Sequence, residues 1–125
     1  MNKRLRERHL IYNKFGGKCA YCGTDIAYKD MQVDHQYPVV TVRTRLNLFG
    51  EDIEKEENKF PSCRKCNHYK RDMDLEGFRQ LMRTIHLRIA ADYKVKVGLN
   101  YGIVTITPFN GEFYFEKLNY ERLKK

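Results

Sequence analysis

Apolar and polar positions along this chain follow several different periods, and each predicts its own kind of element. Near the start, Leu5, His9 and Tyr12 recur at the spacing of one helix face. They predict a short amphipathic helix over 3–15, stopped by Gly16-Gly17. Met31-Gln32-Val33-Asp34-His35 is a brief extended run and predicts a strand. Val39-Val40-Thr41-Val42 is also β-prone, whereas Glu51-Asp52-Ile53-Glu54-Lys55-Glu56-Glu57 has the acidic composition of a solvated loop or helix face. The longest apolar stripe is Leu75, Phe78, Leu81, Met82, Ile85 and Ile89, with Arg79, Arg83 and Lys94 off it. It predicts one helix over 74–91. Beyond it, residues 101–107 and 112–116 are β-rich and flank Pro108-Phe109-Asn110-Gly111. The Asn-Gly step is a hairpin signal, so a C-terminal β-hairpin is expected.

These elements belong to the α+β class. The 125 residues suit one small unit with an appended element. The expected division is 1–72, a core carrying the cysteine pairs, and 73–125, a helix and hairpin packed on or beside it. The simplest role of that extension is to complete a small core; DNA positioning or dimerisation is the alternative, and both monomer and homodimer remain open.

Charge narrows the class of partner. The chain has 24 Lys and Arg against 16 Asp and Glu, a net charge of +8, which suits a polyanion. Lys3, Arg4, Arg6 and Arg8 crowd the first helix, either as a solvated face or as phosphate contacts. The tail Arg122-Leu123-Lys124-Lys125 is basic too. No run approaches the ~20 apolar residues of a membrane span, and no apolar signal core follows the basic N-terminus. A cytoplasmic location is expected, and in that reducing setting paired cysteines hold metal more often than they form disulfides.

Four cysteines form two Cys-x-x-Cys pairs, Cys19/Cys22 and Cys63/Cys66. Two residues between thiolates let one tight turn, a knuckle, present both sulfurs to a tetrahedral ion. Two knuckles close a four-cysteine zinc site with no position left for water, hence a structural one. The long stretch between Cys22 and Cys63 is an insertion, tolerable because closure entropy grows only logarithmically with loop length.

Inside that insertion lies the chemistry. The zinc would draw Asp34-His35, Asn58 and the segment Cys66-Asn67-His68-Tyr69-Lys70 together. Phosphodiester hydrolysis needs a base for water, and a histidine titrating near neutrality suits that task. It also needs a hard divalent ion held by oxygen, for which Asp34 and Asn67 are candidates. Neighbours on a strand point to opposite faces, so a bend at the strand end or a ligand shared through water is required if both are to serve one ion.

Val33-Asp34-His35-Gln36-Tyr37-Pro38, followed by Asn58-Lys59-Phe60-Pro61-Ser62-Cys63-Arg64-Lys65-Cys66-Asn67-His68-Tyr69-Lys70, resembles the HNH endonuclease family, as does Gly17-Lys18-Cys19-Ala20-Tyr21-Cys22-Gly23 ahead of it. The resemblance covers residues 15–72. It implies a ββα-metal (His-Me) finger with a structural zinc, cutting double-stranded DNA with Mg²⁺ or Mn²⁺. By position, His35 matches the general base, Asp34 and Asn67 the ligands of the catalytic ion, and Asn58 the asparagine that orients the histidine. His68 is the alternative ligand to Asn67. Lys70 matches a phosphate-contacting base, and Arg64, Lys65 and Arg71 cluster beside it as further DNA contacts. The stretch from Pro38 to Asn58 departs from the family in its length and lacks the frequent Gly-rich turn. Homing, restriction and phage DNA packaging are the roles such small enzymes serve. A noncatalytic zinc module that binds nucleic acid is the competing expectation.

Overall fold

The computed structural model describes residues 2–36 and 58–118. The β-prone run at 39–42, the acidic run at 51–57 and the basic tail at 122–125 lie outside the described residues. What is described is a mixed α+β structure with one two-stranded antiparallel sheet and five α-helices. No described helix is long and apolar enough to cross a membrane. The chain divides into two compact units, one of residues 1–75 and 113–125 and the other of 76–112. The division expected at 72/73 thus falls at 75/76, and the final segment rejoins the first unit instead of extending the second.

In the first unit, helix α1 (Lys3–Asn13) is capped by the Asn2 carboxamide, which accepts from the Leu5 amide at 2.9 Å. Of the expected face, His9 stacks on Tyr28 at 4.6 Å and Tyr12 donates to the Ile26 carbonyl, whereas Leu5 is exposed; Arg8 and Ile11 complete the contacts. Arg8, expected on a solvated face or at a phosphate, lies with its guanidinium 4.9 Å from the centre of the Tyr28 ring and donates to the carbonyls of Tyr28 and Met31. Gly17, at φ +79°, ends the helix region; a Cβ there would meet the Tyr12 hydroxyl at 2.9 Å.

The first knuckle follows. The Cys19 amide donates to the Thr24 carbonyl and Gly23 returns to Cys19, at φ +78°. After a single 3-10 turn (Tyr28–Asp30) comes β1 (Gln32–His35), which pairs with β2 (Lys59–Ser62). The register sets Gln32 against Ser62, Val33 against Pro61, Asp34 against Phe60 and His35 against Lys59. Pro61 gives the ladder no N–H, but its carbonyl accepts from Ala20, so the knuckle docks on this strand. Helix α2 (Arg64–Lys70) then opens at Cys63, whose Sγ accepts from the Cys66 amide at 3.4 Å.

The core of this unit is aromatic. Tyr21, Phe60 and Phe113 are buried, and Phe15 and Phe115 close around them, with Phe60 and Phe115 ring centres 4.6 Å apart. Two backbone bonds fasten the returning segment: Tyr114 donates to the Tyr21 carbonyl and Phe115 to that of Ala20. These bonds replace the expected hairpin. Residues 101–107 and 112–116 form no strand, and 114–118 are helical. Asn110-Gly111 is still a turn, since the Asn110 side chain accepts from the Glu112 amide at 2.9 Å.

The second unit is a set of three helices: α3 (Leu75–Arg83), α4 (Ile85–Ala90) and α5 (Tyr93–Asn100). The single helix expected over 74–91 breaks at Thr84. Its amide and its hydroxyl both donate to the Leu81 carbonyl, so the side chain competes with the helical ladder. Phe78 anchors the unit at 1% exposure, while Ile89, counted in the stripe, is exposed. Arg79, expected off the stripe, is buried and donates to the Gly111 carbonyl at 2.6 Å.

Candidate functional site

Two segments far apart in sequence meet at the cysteines. The sulfurs of Cys19, Cys22, Cys63 and Cys66 all lie within 4.8 Å of one another, and those of Cys22 and Cys63 are 3.8 Å apart. A zinc ion bound by thiolates at ~2.3 Å would set the tetrahedron's edges at about 3.8 Å. The donor set fits such an ion, and all four cysteines are free of disulfides. Among the described residues the group has four soft donors, a set that fits a metal such as zinc.

The four thiols differ in how readily they ionise. A hydrogen bond from Cys66 brings the Cys19 thiol down to about 4, against the opposing effect of burial. Burial, together with the charge of Cys19, pushes Cys22 up to about 11. Cys66 is raised as well, first because its proton is engaged by Cys19 and then by burial. Burial and their mutual charges thus oppose ionisation of Cys22 and Cys66, and a cation bound among the sulfurs would favour their thiolates.

Beyond the staple, β1 presents two faces. Asp34 points inward at 5% exposure. Its Oδ2 accepts from the Tyr21 hydroxyl and lies 3.0 Å from the Lys70 ammonium. Lys70 is fully buried, and its other donors go to the carbonyls of His35 at 2.9 Å and Met73 at 2.5 Å. All three N–H groups are thus committed within the unit. The expected phosphate contact at Lys70 does not exist in this arrangement; the residue clips α2 to β1. Burial raises the Asp34 carboxyl above its usual value, opposed by Lys70 and by the Tyr21 bond. Tyr21 is held well above the ordinary phenol value by burial and by Asp34.

Asn67 sits one turn before Lys70 on the same side of α2, and its amide reaches the Gln32 side chain at 3.3 Å. It faces β1, whereas His68 is exposed. Asn67 therefore lies across from Gln32 and Lys70 across from Asp34. As arranged, Asp34 and Asn67 do not fit a hard divalent ion, because an ammonium already holds the carboxylate.

His35 is on the opposite face. The pairing continues past it, from the Gln36 amide to the Asn58 carbonyl at 2.8 Å, and the chain bends at Gln36, just after the strand. Asp34 is nonetheless held behind the sheet by Tyr21 and Lys70. His35 is half-buried and, with Val33, lines a groove against α1 of about 440 Å³. Asn58 is buried at 4% exposure beside it in the ladder.

Of the other expected DNA contacts, Arg64 and Lys65 are exposed on α2, and Arg71 is exposed at its end with φ +55°. Sequence reasoning missed Tyr21 as the partner of Asp34, although its place inside the first knuckle was a signal: whatever fills that turn is carried toward the core. It also missed Lys59, whose ammonium pairs with Glu7. No known family model matches the chain, and no curated protein and no solved structure matches it either.

Proposed function

We propose that this protein is a metal-dependent DNA endonuclease of the HNH type, with His35 as the general base that activates water. One observation carries the proposal. Four motif pieces separated in sequence lie in one unit: β1 ends in Asp34-His35, Asn58 pairs beside it, and Asn67 and Lys70 of α2 reach back onto the same strand. The staple supports the arrangement by tying the first knuckle to the start of α2. His35 supplies a proton acceptor at the edge of an open groove. Mg²⁺ or Mn²⁺ is the cofactor this function calls for, and holding it at Asp34 needs Lys70 to leave the carboxylate.

That last requirement favours a second reading, a zinc-stapled module that binds nucleic acid without cutting it. In that case Asp34 is a structural partner of Lys70 and Tyr21 and nothing more. Nicking of supercoiled plasmid by the zinc-loaded protein, with Mg²⁺ or Mn²⁺ added, separates the two. The endonuclease nicks, and His35→Ala lowers the rate by about 10²–10⁴-fold with an unchanged circular dichroism spectrum. Binding with no nicking in either metal, or a His35→Ala protein as active as the parent, overturns the endonuclease.

A further inference from the structure

We propose that the groove between α1 and the β1–β2 pair is a binding site for a nucleic-acid strand, with Arg4 and Arg8 holding its phosphates and His35 facing it. The groove lies wholly within the first unit and has about 440 Å³, room for a nucleotide-sized group. Its floor and its rim differ in chemistry. Ile11 and Met31, at 2% and 3% exposure, and the half-buried Val33 give an apolar floor against which a sugar would lie. The rim is cationic, and among the described residues neither Arg4 nor Arg8 is paired with a carboxylate. Lys59 is matched by Glu7. Arg8 donates only to the neutral carbonyls of Tyr28 and Met31, so its positive charge is kept while its position is fixed. Arg4 is exposed and has no protein partner among the described residues. Two cations over an apolar floor match the alternation of phosphate and sugar along a strand.

The direction of approach follows from the sheet. Val33 and His35 share this side of β1, while Asp34, Tyr21 and Lys70 lie behind it. A strand in the groove therefore meets an imidazole and avoids the buried carboxylate. The sequence had clustered the DNA contacts on α2, at Arg64, Lys65, Lys70 and Arg71, and had left Arg4 and Arg8 as either a solvated face or phosphate contacts; the groove takes the second of these and lies on a different surface from α2. The role given to His35 rests on the endonuclease reading, but the binding site does not.

The test is binding alone. Fluorescence anisotropy of a labelled duplex oligonucleotide is followed with zinc-loaded protein and no added Mg²⁺ or Mn²⁺, between about 50 and 200 mM salt. Each phosphate contact contributes about 0.9 to the slope of log affinity against log salt. Arg4→Ala lowers that slope by about one and weakens binding several-fold, Arg4→Glu weakens it further, and Lys96→Ala, at an exposed position on α5 of the second unit, leaves the slope unchanged. An Arg4→Ala protein with the parental slope, or equal losses in the Arg4 and Lys96 variants, overturns the proposal. So does displacement of the duplex by a deoxynucleoside monophosphate at matching phosphate concentration, which would make the groove a mononucleotide site. A parent that binds with the expected slope but never nicks removes the endonuclease and leaves the groove standing.

Discussion

Replacing Lys70 by methionine is the sharpest test of the architecture around Asp34. The substitution keeps most of the side-chain volume and deletes one charge. In the structure that charge sits 3.0 Å from Asp34 Oδ2, with side-chain exposures of 0% and 6%, so solvent screening gives no relief. It also serves the carbonyls of His35 and Met73. Removing one member of a buried pair strands the other, at a cost of about 3–5 kcal/mol. That is a large share of the 5–15 kcal/mol typical of a small domain. Urea denaturation at fixed excess zinc measures it, and the midpoint should fall by on the order of 2 M. Adding Asp34→Asn removes the stranded charge and keeps an acceptor for Tyr21, so the double variant should recover at least about 1 kcal/mol relative to additivity. The pH dependence has a definite sign. The folded carboxyl of Asp34 is already raised above 3.8, and loss of Lys70 raises it further. Its penalty is absent below 3.8 and grows as pH rises, so the variant's deficit narrows on acidification. A loss under about 1 kcal/mol at neutral pH, the usual result for a surface lysine, would refute the buried clip.

Three further outcomes are expected. Cys66→Ser leaves three sulfurs, so zinc bound per chain, read by a colorimetric chelator, should fall well below one and the thermal transition of the first unit should broaden or vanish. In calorimetric titrations across buffers, zinc binding at neutral pH should release at least the protons of Cys22 and Cys66, so its affinity should rise about a hundredfold per pH unit; pH-independent binding would contradict the thiol ordering. Gly23→Ala forces a side chain into a backbone at φ +78° and puts a Cβ 2.8 Å from the Tyr114 ring, so it should destabilise by about 1–3 kcal/mol and detach the 113–118 segment, seen as faster amide exchange at Phe115.

The metal staple was legible because thiolate spacing is short-range chemistry: Cys-x-x-Cys determines how two sulfurs meet one ion whatever lies between the pairs. The strand at Gln32–His35 and the helix stop at Gly16-Gly17 were legible for the same local reason. What sequence reasoning could not see depended on partners. Lys70 looked like a surface cation until Asp34 and two carbonyls enclosed it. Arg8 was expected on a solvated face or at a phosphate and Arg79 off the apolar stripe, and each proved to be held by backbone oxygens. The C-terminal aromatics carried a strand signal, but Phe113 and Phe115 pack on Tyr21 and Phe60 instead of extending a ladder with residues 101–107. Thr84 broke a helix through a hydroxyl bond that an apolar-stripe count ignores.

The first unit is assembled from two stretches that synthesis delivers at different times, with the whole of 76–112 made in between. As the chain leaves the ribosome, the three-helix portion is complete while the cysteine-bearing portion still lacks two of its aromatic plugs. A nascent chain is then exposed at Phe60 and Tyr21 until residues 113–118 arrive. A premature stop just before Phe113 would leave every zinc ligand and every candidate catalytic side chain in place, and would still yield a protein with an open core.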